Sequence, residues 1–183
     1  MNLQNQVVKN ICGFYADKSH LVAMLFPYIN NKVKNGANIT TVLEEGIEEN
    51  INELMNNMNI NPKIKKDILN IKWNNTKVDK YSELEEKMNN AIKKNNEVEI
   101  LINGTKETIK NTNEMVNMWL NKNKESINGK NINIINLYQM TEFKNVNEIL
   151  DKHEAVINTS GEHKIEDVFA RYNKDDKLNA VNQ

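Results

Sequence analysis

The hydrophobic residues of this chain follow two patterns that alternate along the sequence. Short, continuous apolar runs bounded by polar residues are typical of strands that are buried on both faces of a sheet. Such runs predict strands at residues 11–15, 39–43, 98–102, 132–138 and 155–157, with a weaker strand at 71–73. The pattern therefore predicts about six strands.

The segments between these runs repeat their apolar residues every three or four positions, as amphipathic helices do. The first predicted helix follows Asp17, a candidate N-cap, contains Pro27, and ends before Gly36, which suits a C-terminal cap. Ser82 and Glu85 have the spacing of a capping box. Further helices are predicted near residues 47–58, 62–69, 82–92, 109–128, 143–150 and 165–172.

Strands that alternate with helices of this length favour right-handed crossovers and hence a parallel sheet. We therefore expect an α/β fold, a three-layer sandwich with a mainly parallel sheet of about six strands. A chain of 183 residues fits one domain, since domains commonly have about 100–200 residues. We assign that domain to residues 1–172 and expect the polar C-terminal tail, residues 173–183, to fray.

Composition narrows the class of protein further. A formal net charge of −1 gives no broad attraction to nucleic acid or to an anionic membrane, so we expect neither as a direct partner. No apolar stretch reaches the roughly 18 residues of a membrane span. The single cysteine, Cys12, excludes an internal disulfide and fits a reducing compartment, so a cytoplasmic protein is predicted.

The familiar signatures of catalytic and cofactor sites are missing from the sequence. Neither the Gly-x-x-x-x-Gly-Lys-[Ser/Thr] phosphate loop nor the Gly-x-Gly-x-x-Gly dinucleotide fingerprint occurs. The histidines and Cys12 lack metal-binding spacing, and Cys12 lies in an apolar run that predicts a buried structural thiol. His153 and His163 flank the last predicted strand, where ordinary structural roles are favoured over a shared metal. We predict no cofactor, no metal and no catalytic residue.

The candidate binding residues come from position in the fold. Ligands of open α/β sheets bind beyond the carboxyl ends of the strands, where Gly104 and Thr105 also precede a helix whose N–H groups suit an anion. Tight-turn and capping chemistry is the alternative explanation for these residues. Glu44 and the turn at residues 158–161 are expected at the same edge. The predicted ligand-binding residues are Tyr15, Asp17, His20, Asn103, Gly104, Thr105 and Gln139.

Two stretches of the chain resemble the MEDS domain family, the sensory domains of methanogen and methylotroph regulators. Residues 10–15, then 25–29 and Gly36, are similar to the opening of these domains, and residues 136–143, followed by His153 and residues 156–157, are similar to their close. Asn10 and Gln139 stand where the family has His and Asp. The resemblance implies a RecA- or KaiC-like α/β fold without a phosphate loop, and a role in sensing small ligands or signalling to transcription and kinase partners.

Three hypotheses about function follow. The first is a stand-alone sensory or regulatory module that binds a small-molecule ligand, a regulatory protein or both, without catalysis. The second is a degenerate or unusual nucleotide- or phosphoester-processing enzyme that uses Asp17, His20 and Thr105. The third is a structural or interaction protein, for example of a mobile element. A homo-oligomer is compatible with all three.

Overall fold

Strands and helices alternate along most of the chain. The computed structural model describes residues 7–43, 47–71, 73, 80–143, 145–170 and 172. Within this part the strands are β1 (Val7–Tyr15), β2 (Asn38–Leu43), β3 (Glu97–Asn103), β4 (Asn131–Gln139), β5 (Ala155–Asn158) and β6 (Gly161–Lys164). The helices are α1 (Lys18–Lys34), α2 (Glu48–Asn57), α3 (Pro62–Leu69), α4 (Tyr81–Lys94), α5 (Lys106–Lys122), α6 (Val146–Leu150) and α7 (Ile165–Val168), with a 3-10 turn at Met140–Glu142.

All six strands belong to one sheet with the order β2-β3-β4-β1-β5-β6. Neighbouring strands are parallel except β5 and β6, which form an antiparallel pair. The expectation of an α/β fold with a mainly parallel sheet of about six strands is confirmed.

Helices cover both faces of the sheet, and each face has its own apolar core. On one face, α1, α2 and α3 pack on residues such as Ile11, Leu101 and Ile135. On the other face, α4, α5, α6 and α7 pack on residues such as Ile100 and Ile134. Since β1 leads into α1 while its neighbour β4 leads towards α6, the chain leaves these two adjacent strands towards opposite faces. Ligand sites in open α/β sheets form at such a switch point.

One predicted strand is absent and another strand was not predicted. Ile71 and Trp73 are not in a strand. Trp73 is buried in the core that α1 also joins, and its indole N–H donates to the Ile68 carbonyl (2.9 Å). The sixth strand is β6 instead, which pairs with β5 in a hairpin.

Several helix ends also differ from the prediction. The capping box does not form, because α4 begins at Tyr81 and places Ser82 inside its first turn. α5 ends at Lys122, ahead of a turn at Asn128–Gly129, and the last helix is the single turn α7. The predicted tail, residues 173–183, lies outside the described residues, and so does Glu44. The single-domain boundary at 172 stays a prediction.

Candidate functional site

The carboxyl ends of β1, β3 and β4 bring together three of the predicted residues. Tyr15 and Gln139 are register partners at the last position of their strands. Gln139 donates from its side-chain amide to the Ala16 carbonyl (3.4 Å), which ties the two strand ends together. The Asn103 amide nitrogen donates to the Tyr15 hydroxyl (3.4 Å), so that Tyr15 reaches across β4 to the end of β3.

Asn103 is the residue of this edge that most needs an explanation. Asn103 is only 2% exposed, and its oxygen Oδ1 has no hydrogen-bond partner among the residues that the structure describes. A buried acceptor without a donor costs about 1–3 kcal/mol, and nearly all buried polar groups in folded proteins are paired. The unpaired oxygen at a strand end is therefore a candidate contact for a bound molecule.

Gly104 and Thr105 connect this strand end to α5. Gly104 has φ +143°, which a glycine adopts without strain, and the chain turns there into the helix. Thr105 is the N-cap: its hydroxyl accepts from the Thr108 N–H (3.2 Å) and lies 3.0 Å from the Thr108 hydroxyl. The N–H groups of Lys106 and Glu107 start a 17-residue helix, where no intrahelical acceptor is available to them.

Asp17 and His20 cap α1 instead of forming an acid–base pair. Asp17 accepts from the backbone N–H of His20 (2.8 Å), while His20 Nδ1 accepts from the Ala16 N–H (3.1 Å). Because Nδ1 is an acceptor, the ring hydrogen of neutral His20 is on Nε2. The geometry leaves Asp17 in contact with the helix backbone and not with the imidazole ring.

The two histidines that flank β5 have different environments. His153 is buried: Nδ1 donates to the Ile149 carbonyl (2.6 Å), and Nε2 accepts from Asn136 (3.2 Å), whose oxygen accepts from Asn113 (2.9 Å). Its ring nitrogens are thereby occupied in a buried amide chain. His163 Nε2 instead lies 2.7 Å from the Ser160 hydroxyl in the exposed β5–β6 turn. In the described part of the chain, no three His, Cys, Asp or Glu side chains form a group that could hold a metal ion.

Cys12 is structural, as predicted. It is fully buried in the core opposite α1, and its thiol lies 3.6 Å from the Ala155 carbonyl. Burial raises the pKa of Cys12 to about 12, against a small lowering by its own backbone. Because the reactive form of cysteine is the thiolate, this side chain is not activated as a nucleophile.

A buried charged cluster at the amino half of the sheet was not predicted. Glu99 is fully buried and accepts from the Tyr28 hydroxyl (2.5 Å) and the Asn133 amide (2.7 Å), with the Lys32 ammonium 3.0 Å away. Lys32 also pairs with Glu97 at 2.6 Å. Burial raises the pKa of Glu99 above its ordinary value, although its three donors oppose that rise. Its oxygens are satisfied, so the cluster anchors α1 to β3 and β4. The sequence signal for it was the charged residue Glu99 within an otherwise apolar strand.

Comparison with known proteins found few similarities. No family model matches the chain, and no curated protein matches it. Among solved structures, it is similar to cbiO1 from Clostridium perfringens, described as part of the ABC transporter complex cbiONQ, with 11% sequence identity and a TM-score of 0.40. That alignment covers 94% of this chain and 82% of the other.

This comparison corrects the first functional hypothesis. The match is to a subunit of a transporter complex and not to a sensory domain, so the prediction of a stand-alone sensory or regulatory module without catalysis was wrong. The described helices include none that is long and apolar enough to cross a membrane.

Proposed function

We propose that the protein is an unusual nucleotide- or phosphoester-processing protein that binds a phosphorylated small molecule at the carboxyl edge of β1, β3 and β4. The observation that carries the proposal is the buried, unpaired Oδ1 of Asn103 beside the Tyr15 hydroxyl. A ligand with a hydroxyl or amine hydrogen would pair that oxygen and remove the cost of leaving it unpaired.

The phosphate would lie at the start of α5. Asn103 is three residues before the first residue of that helix, so the unpaired oxygen and the helix N-terminus belong to the same strand end. The N–H groups of the first turn and the positive end of the helix dipole favour an anion there. The Thr105 and Thr108 hydroxyls bond to each other, so at most one of their hydrogens would be directed at the phosphate.

In the reaction, Asn103 would orient the attacking water and would not act as a base, because an amide oxygen is too weak a base to remove a proton. In a hydrolysis, Asn103 Oδ1 would accept a hydrogen bond from the attacking water without taking its proton. The water oxygen would bond to phosphorus as the ester P–O bond breaks, and the proton would pass to a phosphate oxygen or to the leaving oxygen. His20 Nδ1 accepts from the Ala16 N–H, so Nε2 is the ring nitrogen of His20 that would donate to the leaving oxygen.

We also propose that the fold is RecA- or KaiC-like without a phosphate loop, and that the MEDS resemblance reflects common descent of that fold. The helices on both faces of a mainly parallel sheet support this. Superposition of an experimental structure on RecA- or KaiC-like proteins and on MEDS domains would test this proposal.

The variant Asn103→Leu tests the binding proposal, because leucine has nearly the shape of asparagine and no polar atoms. Without ligand, we expect the free energy of unfolding to stay unchanged or to rise by about 1 kcal/mol, since an unpaired buried acceptor is lost. The control Asn136→Leu removes an asparagine whose amide groups are paired with His153 and Asn113, so it should lower stability.

Ligand response is measured by thermal unfolding with inorganic phosphate, nucleoside mono-, di- and triphosphates and a hexose phosphate, each with and without Mg²⁺. At least one should raise the melting temperature of the wild type in a concentration-dependent way and fail to do so for Asn103→Leu. Chromatography of the same mixtures shows whether the compound is converted. A panel that leaves the wild type unchanged, together with a destabilised Asn103→Leu, would overturn the proposal.

A further inference from the structure

Asparagine is followed directly by glycine at three places in this chain, Asn35–Gly36, Asn103–Gly104 and Asn128–Gly129. In such a pair the backbone nitrogen of glycine attacks the asparagine Cγ most readily, because glycine has no side chain to obstruct the approach and adopts a wide range of backbone conformations. The attack needs an N–H group that is free of hydrogen bonds and a backbone that can close a five-membered ring. The fold treats the three pairs differently in both respects.

Asn103 is held by the sheet. It is the last residue of β3 and is only 2% exposed. It has register partners on both neighbouring strands, Leu43 of β2 and Leu137 of β4, and its amide nitrogen donates to the Tyr15 hydroxyl (3.4 Å). The ring can close only after the strand end has opened, so this pair is unreactive in the folded protein.

Asn35 and Gly36 are exposed, but their backbone is fixed at the end of α1. Asn35 is the C-cap of this helix, and the Gly36 N–H donates to the Val33 carbonyl (3.0 Å). The Asn35 amide nitrogen also donates to Asn31 Oδ1 (3.3 Å). The attacking nitrogen is therefore hydrogen-bonded, and this bond must break before the ring can close.

Asn128 and Gly129 are the two central residues of a turn between α5 and β4. The Lys130 N–H donates to the Ile127 carbonyl (3.0 Å), which closes a β-turn around the pair. Gly129 has φ +74°, and no described residue other than glycine has a positive φ, as in a type II turn with glycine at its third position. Among the residues that the structure describes, none accepts a hydrogen bond from the Gly129 N–H, and Asn128 is exposed.

We propose that Asn128 deamidates spontaneously, whereas the fold protects Asn35 and Asn103. The Gly129 N–H loses its proton to hydroxide, and its nitrogen bonds to Asn128 Cγ. The Cγ–Nδ2 bond breaks, and ammonia leaves after taking a proton from water. Water then opens the resulting succinimide ring at either carbonyl, which gives aspartate or isoaspartate at position 128.

The isoaspartate product changes the main chain just before β4. It adds a methylene group to the backbone of residue 128 and so lengthens the turn that the hydrogen bond from Lys130 to Ile127 closes. Ile127 is fully buried in the core that α5 also joins. We therefore expect the isoaspartate form to melt at a lower temperature than the unmodified protein, and the aspartate form, whose main chain keeps its length, to melt close to it.

The test follows each asparagine by peptide mapping and mass spectrometry while the folded protein is stored at mildly alkaline pH. Asn128 should deamidate first, Asn35 roughly fivefold to tenfold more slowly, as the loss of a single hydrogen bond allows, and Asn103 should stay intact. In urea that unfolds the protein, the three should react at similar rates. The control variant Asn128→Gln should lose the fast reaction, because glutamine must close a six-membered ring.

Isoaspartate at position 128 is distinguished from aspartate by enzymatic methylation of isoaspartyl carboxyl groups, with Asn128→Asp as the reference for the aspartate form. Deamidation of Asn35 or Asn103 as fast as that of Asn128 in the folded protein would overturn the proposal. An Asn128 that stays intact in the folded protein and reacts only in urea would overturn it as well, because the turn would then protect this pair too.

Discussion

At the scale of single residues, two buried polar side chains of β3 differ in whether their oxygens are hydrogen-bonded. Glu99 carries a potential charge in the core, and each of its oxygens has a donor from α1 or β4. Asn103, four positions later on the same face of β3, has an acceptor with none. The pairing of Glu99 is explained by folding, since a buried charge needs partners, whereas the lack of a donor at Asn103 among the described residues is what motivates the proposal of a bound molecule.

The ion pairs of Lys32 make a pH-dependent contribution to stability. Burial lowers the pKa of Lys32, but the hydrogen bond to Glu97 and the charge of Glu99 outweigh it, so that the pKa lies above its ordinary value of 10.5. A lysine with a raised folded-state pKa stabilises the fold fully below its unfolded pKa, and this contribution is lost as the pH rises through the folded value.

We therefore expect Lys32→Met to lower the free energy of unfolding by about 2–3 kcal/mol near neutral pH, since it removes one partner of a buried carboxylate. The difference from wild type should stay constant up to about pH 10 and shrink above it. Urea unfolding at a series of pH values measures this. Lys122→Met, in an exposed pair with Glu85, is the control and should have a much smaller effect. A Lys32→Met deficit that grows with pH would contradict the assignment.

At the scale of elements, the packing of α1 on β1 depends on a residue without a side chain. A Cβ added to Gly13 would lie 2.9 Å from Ile157 Cγ1, 3.0 Å from Met24 Cε and 3.2 Å from Leu137 Cδ2. The methionine end can move, but Ile157 and Leu137 are held in strands on either side of β1. Gly13 thus sets how closely α1 approaches the sheet.

Gly13→Ala should therefore destabilise the protein by about 1–2 kcal/mol. Overpacking lowers the free energy of unfolding by about 1–3 kcal/mol. Alanine also reduces the conformational entropy of the unfolded chain, which offsets only about 0.4–1 kcal/mol of that loss. Chemical denaturation provides the measurement. The control Gly36→Asn has open space around its Cβ and a φ of +80° that asparagine tolerates, so its effect should be smaller. Equal effects of the two variants would contradict the assignment of the Gly13→Ala cost to packing.

Elements with a strong apolar pattern were predictable, and those held by tertiary contacts were not. The predicted bounds of β3 and β4 lie within a residue or two of the observed bounds, because nearly all the side chains of these strands are buried. β6 has a polar sequence in which only alternate residues are partly buried, and it exists because β5 pairs with it. Trp73 was assigned to a strand because it lies in an apolar run, yet it is buried outside any strand, in the core that α1 joins.

At the scale of the whole molecule, the candidate site was predictable only as far as topology determines it. Parallel strands end at one edge, so Tyr15, Asn103 and Gln139 were expected to lie near one another from strand assignments alone. Whether the Asn103 oxygen is hydrogen-bonded depends on side-chain packing. The pattern of apolar and polar residues in the sequence does not predict that packing. The Glu99 cluster depends on the register that sets Asn133 beside Glu99 and on the path of α1 over both strands.

The strand order also predicts how the sheet opens. β4 lies at the interior of the sheet and is paired with β3 over seven positions and with β1 over nine. Among the described strands, β6 pairs with β5 alone, over four positions. Local openings cost from nearly zero up to the full free energy of unfolding, and the cost follows the number of contacts that break. Amides of Ile132–Tyr138 should therefore exchange hydrogen only through global unfolding, and amides of Gly161–Lys164 through local opening of the hairpin.

Hydrogen exchange measured by NMR at a series of low urea concentrations distinguishes the two, because global openings accelerate with urea and local ones barely respond. If the β6 amides showed the urea dependence of β4, the hairpin would belong to the cooperative core, and the antiparallel edge would be as firmly held as the centre of the sheet.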